Sequence, residues 1–93
     1  PIKMISALSG GWADSKVLQT HGKRMINKDF TPKGKTSTHL KDMNNILECA
    51  NNFNTHLHIS NLVKEMYKNL VENGCGNDDH SSLYKEIERM NEK

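Results

Sequence analysis

Any chemistry in this sequence has to come from a short list of side chains. The most suggestive lie between Thr36 and Ala50, where Lys41, Asn44, Asn45 and Glu48 recur at helical spacing. Asp42 sits at the edge of that stripe, one turn from His39. Leu40, Met43, Ile46, Leu47 and Ala50 mark the neighbouring apolar face of the same helix. Lys41 stands off that face, so core packing does not need it and its ammonium is free to point into a cleft. Taken alone, these residues read as the solvated side of an amphipathic core helix. A second set is His56, His58, His80 and Cys75. Their spacing matches no familiar zinc pattern, which leaves surface or loop histidines and no metal site. No glycine-rich phosphate loop follows a strand, and no Ser/His/Asp set is recognisable from order alone.

The elements that must position these residues are helices. Ile2, Ile5 and Leu8 recur every third residue, as on a short helix end that Ser9-Gly10-Gly11 closes. Asp14 or Ser15 is placed to cap a second helix over Ser15–Asn27, with Val17, Leu18, His21, Met25 and Ile26 on its apolar face. The segment from Asp29 to Lys35 is a loop, because Pro32 disfavours helix at Thr31. Thr36, Ser37 and Thr38 offer hydroxyls to cap the next helix, over Thr38–Asn52. Ser60 caps a fourth, Ser60–Asn73, whose face is Leu62, Val63, Met66, Tyr67, Leu70 and Val71. Asp79 or Ser81 caps the last, Asp79–Met90, with Leu83, Tyr84, Ile87 and Met90 inward. No stretch alternates with period two, so the expected fold is all-α without a sheet.

Composition narrows the function classes. The 93 residues suffice for one small domain or for part of a larger one, and at 34% hydrophobic and 5% aromatic the core is lean. Charges are mixed in sign with a net of +2, and no Lys/Arg run marks a nucleic-acid partner. No apolar segment is long enough to span a bilayer, and there is no signal-peptide core. Cys49 and Cys75 read as two free thiols, which suits the cytoplasm. The chain opens at Pro1 with no methionine, on what looks like the tail of a helix, so a fragment of a longer protein is expected.

The motifs in order say more. Ser9-Gly10-Gly11, a helix, Asp29-Phe30-Thr31-Pro32, then His39-Leu40-Lys41-Asp42-Met43 lead to Gly74-Cys75-Gly76 and Asp79-His80-Ser81-Ser82-Leu83. The series, covering nearly the whole chain, resembles the C-terminal part of the 3-hydroxyisobutyrate dehydrogenase family. These are β-hydroxyacid dehydrogenases related to 6-phosphogluconate dehydrogenase. The resemblance implies that residues 1–93 are an all-helical C-terminal substrate and dimerisation domain. The N-terminal Rossmann domain and the catalytic lysine would lie upstream of Pro1. It further implies reversible hydride transfer between NAD or NADP, held mainly by the missing domain, and a small 3-hydroxy acid. Lys41 takes the role of a cofactor contact, since an ammonium on a flexible stem can cross a cleft to ribose or phosphate oxygens. Asp42 becomes a substrate-side support, and no residue of this chain is a general acid.

Two departures stand out. Gly34 occupies a position where several members of the family carry an aromatic, and Met43-Asn44 replaces a frequent Leu-Gly. The implied partners are a hydroxy-acid substrate and further copies of the chain, joined through the helical domain, with neither nucleic acid nor membrane. A reading from another class is a stand-alone helical interaction module without catalysis.

Overall fold

The computed structural model describes residues 1–92, which fall into two compact units, 1–30 and 31–92. In the first unit, helix α1 (Ile2–Leu8) buries Ile5 and leaves Ile2 and Met4 exposed. It closes where the sequence places its stop, with Gly10 at φ +78° and the Gly11 N–H donated to Leu8 O. The Ser15 hydroxyl accepts the Leu18 N–H at 2.9 Å, and the Asp14 carboxylate receives the N–H groups of Gly10 and Ser15. A π turn, Leu18–Gly22, then runs into the short helix α2 (Lys23–Ile26). Gly22 explains how this turn lies so near α1: a Cβ there would stand 2.9 Å from Ile5 Cδ1.

The second unit contains α3 (Thr36–Asn52), α4 (His58–Glu72) and a 3-10 turn (His80–Ser82) that continues into α5 (Leu83–Met90). Helix α4 packs between α3 and α5. Tyr67 and Leu70 are its buried apolar side chains, but the largest fully buried ones are polar: Glu86, Thr36, Asp79 and Ser82. Buried polar groups are tolerable only when they are hydrogen-bonded, and these are. One Asp79 oxygen accepts the N–H groups of Lys33 and Gly34, at 2.9 and 3.2 Å. The other accepts the N–H and the hydroxyl of Ser81, capping the 3-10 turn. The His80 N–H is donated to Gly34 O at 2.7 Å, and Lys35 and Asp79 form an isolated antiparallel bridge. The Thr36 hydroxyl shares this knot with the Asp78 and Asp79 carbonyls and with Ser82 Oγ. Farther along, Glu86 on α5 accepts from Asn69 Nδ2 of α4 at 3.1 Å and pairs with Arg89.

The all-helical expectation holds: among the described residues there is no strand. Several boundaries differ from those the sequence suggested, each for a physical reason. Helix α3 begins at Thr36, and the Thr36–Thr38 hydroxyls do not cap it. The Thr36 and Ser37 N–H groups instead go to the Asp78 and Gly76 carbonyls, across the fold. Helix α4 starts at His58, which puts Ser60 in its first turn rather than at its cap. The Ser15–Asn27 helix is divided by the π turn, and the Asp79–Met90 helix opens with a 3-10 turn. Some residues assigned to apolar faces are exposed: Val17 at 66%, Leu62 at 63% and Met90 at 54%.

The two buried carboxylates make the second unit acid-sensitive. Burial by itself raises the Asp79 pKa, but the Ser81 hydroxyl and the N–H groups of Lys33, Ser81 and Gly34 outweigh it. The group is held far below the usual carboxylate range. Hydrogen bonds from Arg89 act first on Glu86, aided by Asn69, and also lower its pKa against burial. A depressed folded-state pKa contributes stability that is present above the unfolded value and is lost as pH falls toward the folded one. Chemical denaturation should therefore show stability declining below about pH 4, with a shallower decline in Glu86→Gln than in the parent.

Asp79→Ala strips an acceptor from several N–H groups at once. It should lower unfolding free energy by about 3 kcal/mol, whereas the exposed Glu72→Ala should change it by under about 0.5 kcal/mol. Denaturant melts of the two variants check this.

Candidate functional site

Helix α3 presents two unlike sides. Thr36 is buried and His39, Leu40, Met43, Leu47 and Ala50 are half-buried, the i, i+3, i+4, i+7 pattern of a packed face. Lys41, Asn44, Asn45 and Glu48 are exposed, as is Asp42. Ile46, read from its spacing as part of the packed face, is 47% exposed on its flank. Among the described residues, neither the Lys41 nor the Asp42 side chain has a hydrogen-bond or ion-pair partner. Neighbours in sequence project about 100° apart around a helix, so the two do not form a paired acid and base. Lys41 offers three N–H donors on a flexible stem, suited to anionic or hydroxyl oxygens of a ligand.

The start of this helix is fixed by the knot around Asp79, which holds Lys33 and Gly34 on one side and His80 and Ser81 on the other. Next to that knot lies an aromatic group that sequence reasoning did not assemble. The His39 ring stacks on Tyr67 with centroids 5.9 Å apart and meets the His80 ring at 4.4 Å. The Tyr67 hydroxyl donates to His80 O at 3.4 Å. Burial, with a smaller contribution from Asp79, pushes the Tyr67 pKa up and keeps it a donor. His80 had the pattern of a loop histidine, but it is half-buried in this stack. The available signal was the inward register of His39 and Tyr67 on their helices. What brings His80 to them is a contact across the fold, invisible to spacing. His56 and His58 are exposed and stack only on each other, at 6.3 Å.

Gly34 borders the imidazole pair closely. A Cβ at this position would stand 3.3 Å from His80 Cδ2 and 3.5 Å from His39 Nε2. A larger side chain therefore requires the rings to move, and the aromatic absent from position 34 has its ground partly taken by His39 and His80. Asn44, in place of the frequent glycine, points to solvent and costs the helix nothing in packing. A cleft of about 150 Å³ lies elsewhere in this unit, at the C-terminal end of α3, floored by Leu47, Ala50 and Leu57 and edged by Asn51, Thr55 and His56. Neither Lys41 nor Asp42 lines it.

Comparison with known proteins places this arrangement. The family model described as NAD-binding of NADP-dependent 3-hydroxyisobutyrate dehydrogenase matches residues 1–87. The chain is 36% identical to 2-hydroxy-3-oxopropionate reductase of Escherichia coli (strain K12) over 90 residues, covering 97% of this chain and 31% of that protein. It is 34% identical to the uncharacterised oxidoreductase YfjR of Bacillus subtilis (strain 168) over 85 residues, 90% of this chain and 28% of that one. The crystal structure of 3-hydroxyisobutyrate dehydrogenase (ygbJ) from Salmonella typhimurium superposes with a TM-score of 0.83 at 18% identity, over 90% of this chain and 30% of that one. The chain thus spans about a third of the length of the proteins it matches. With the family model running from Pro1 through most of α5, and the helices in the same arrangement, this chain belongs to the family of the NAD-binding segment of NADP-dependent 3-hydroxyisobutyrate dehydrogenase.

Proposed function

We propose that the chain is the helical C-terminal part of an NAD(P)-dependent oxidoreductase acting on a small 3-hydroxy acid, with Lys41 reaching the cofactor. The observation that carries this is the exposed Lys41-Asp42 pair on α3, within a chain matched by the family model over residues 1–87. Lys41 is unneeded for packing and its ammonium is uncommitted, which fits a contact to phosphate or ribose oxygens of a dinucleotide. The nicotinamide, when bound, accepts or gives up the hydride. Lys41 adds a charge-assisted hydrogen bond that helps hold and orient that group. Asp42, next along the helix, supports the substrate side of the cleft as a positioning group. Proton transfer belongs to a lysine outside this chain. In this reading most cofactor affinity belongs to a dinucleotide-binding domain outside these residues, where a strand-turn-helix holds the pyrophosphate.

The exposed apolar residues Ile59, Leu62, Ile87 and Met90 favour association of helical domains into a homo-oligomer. A cytoplasmic setting suits the free Cys49 and Cys75. No helix among the described residues is long and apolar enough to cross a membrane.

Steady-state kinetics on the complete enzyme test the role of Lys41. Lys41→Ala should raise the cofactor KM about 10–100-fold, the loss of one charge-assisted hydrogen bond, with the fold intact. An unchanged cofactor KM and an unchanged rate would return Lys41 to a solvated face. Asp42→Ala should act differently, lowering turnover more than it raises the cofactor KM.

The 93-residue chain on its own should be catalytically silent and bind NAD or NADP only weakly. Hydride transfer by this purified segment would place the catalytic machinery within it and overturn the division of roles.

A further inference from the structure

Helix α4 ends on the dipeptide Asn73-Gly74, which the function proposed above does not use. Both residues are exposed. Asn73 is the C-cap, at φ −92° and ψ 15°, and Gly74 follows in the left-handed region at φ +85°. A Cβ at Gly74 would meet nothing within 4 Å, so the ground around the junction is open. Among the eleven asparagines of the chain, Asn73 alone precedes a glycine. That matters chemically, because a following residue without a side chain leaves the backbone nitrogen unobstructed in its approach to the asparagine amide.

We infer that Asn73 is a site of non-enzymatic modification, converting to isoaspartate or aspartate when the C-cap of α4 opens. In the first step the Gly74 backbone nitrogen loses its proton and attacks Asn73 Cγ, forming a new C–N bond. The Cγ–Nδ2 bond breaks, and the amide nitrogen takes up a proton and leaves as ammonia. Water then opens the resulting succinimide. Cleavage of the new Cγ–N bond gives aspartate, and cleavage of the original backbone C–N bond gives isoaspartate. The net change is asparagine plus water to an acid plus ammonia, with no oxidant or reductant.

The folded cap gates this reaction. The attacking nitrogen carries an N–H donated to Val71 O at 3.1 Å. The Asn73 N–H and Asn73 Nδ2 both go to Asn69 O, at 3.0 and 2.7 Å. Nucleophile and leaving group are thus both tied to the last turn of α4, and the reaction proceeds only while that turn is frayed. Its products work against the fold. A carboxylate at the end of α4 faces the negative end of the helix dipole, and the donor to Asn69 is gone. Isoaspartate also adds a methylene to the backbone leading to Gly76 and Asp78, whose carbonyls receive the first N–H groups of α3.

The test holds the protein folded at mildly alkaline pH and, in parallel, unfolded in denaturant, with peptide mapping and isoaspartate quantification over time. Conversion at Asn73 is expected in both, about tenfold slower in the folded protein, and Asn73→Gln should leave that peptide unmodified in both. Any of three results overturns the inference: no conversion in the folded protein by the time the unfolded protein has converted fully, equal rates in the two states, or another asparagine of this chain converting ahead of Asn73.

Discussion

The second unit depends on one carboxylate. Asp79 lies on the connection between α4 and α5, yet its oxygens are claimed by Lys33 and Gly34, more than forty residues earlier, and by Ser81. A buried anion is costly unless donors surround it, and backbone N–H groups that cannot move away supply much of that surround. Closing so long a loop costs entropy, and a charged acceptor with several fixed donors offsets it better than a single neutral contact. The Lys35–Asp79 bridge and the Thr36 hydroxyl complete the same knot. With a lean apolar core, in which Tyr67 and Leu70 are the buried hydrophobics of this unit, polar closure takes over work that hydrophobic burial does in richer sequences.

That knot determines what α3 can present. Because its first N–H groups are received by the Gly76 and Asp78 carbonyls, the helix starts in a fixed place and rotation. His39 then turns inward against Tyr67 and His80, and Lys41 turns outward. The same close approach accounts for the glycine at 34, where a side chain would press on both imidazoles. The proposed Lys41-Asp42 site is thus carried on a rigid element whose origin is set by an acid more than forty residues downstream. A site built on a helix in this way is held more closely than one built on a loop.

The family model matches residues 1–87, and the chain covers about a third of each relative's length. Ile59 and Leu62 on α4 and Ile87 and Met90 on α5 are larger hydrophobics than a solvated helix face needs. They lie on helices whose other sides are already committed to Tyr67, Leu70 and Glu86.

By itself the sequence determined the helical class, the closure of α1 at Ser9-Gly10-Gly11, caps at Asp14 or Ser15 and at Asp79 or Ser81, the register that frees Lys41, and the family. These rest on local periodicity, on capping chemistry and on motif order, all written along the chain. The tertiary structure decided the rest. Thr36 is no cap because carbonyls forty residues away satisfy the helix start, and His80 is no loose loop histidine because Gly34 and His39 close over it. Leu62 and Ile46 were assigned to apolar faces by spacing, but exposure depends on what packs opposite, which periodicity does not encode. In one dimension Asp79 is only a candidate cap, and nothing along the chain marks Glu86. They rank among the most buried groups of the unit because donors from elsewhere in the fold, Lys33 and Gly34 for Asp79 and Asn69 for Glu86, join the local ones, since burial of a charge is a property of its partners.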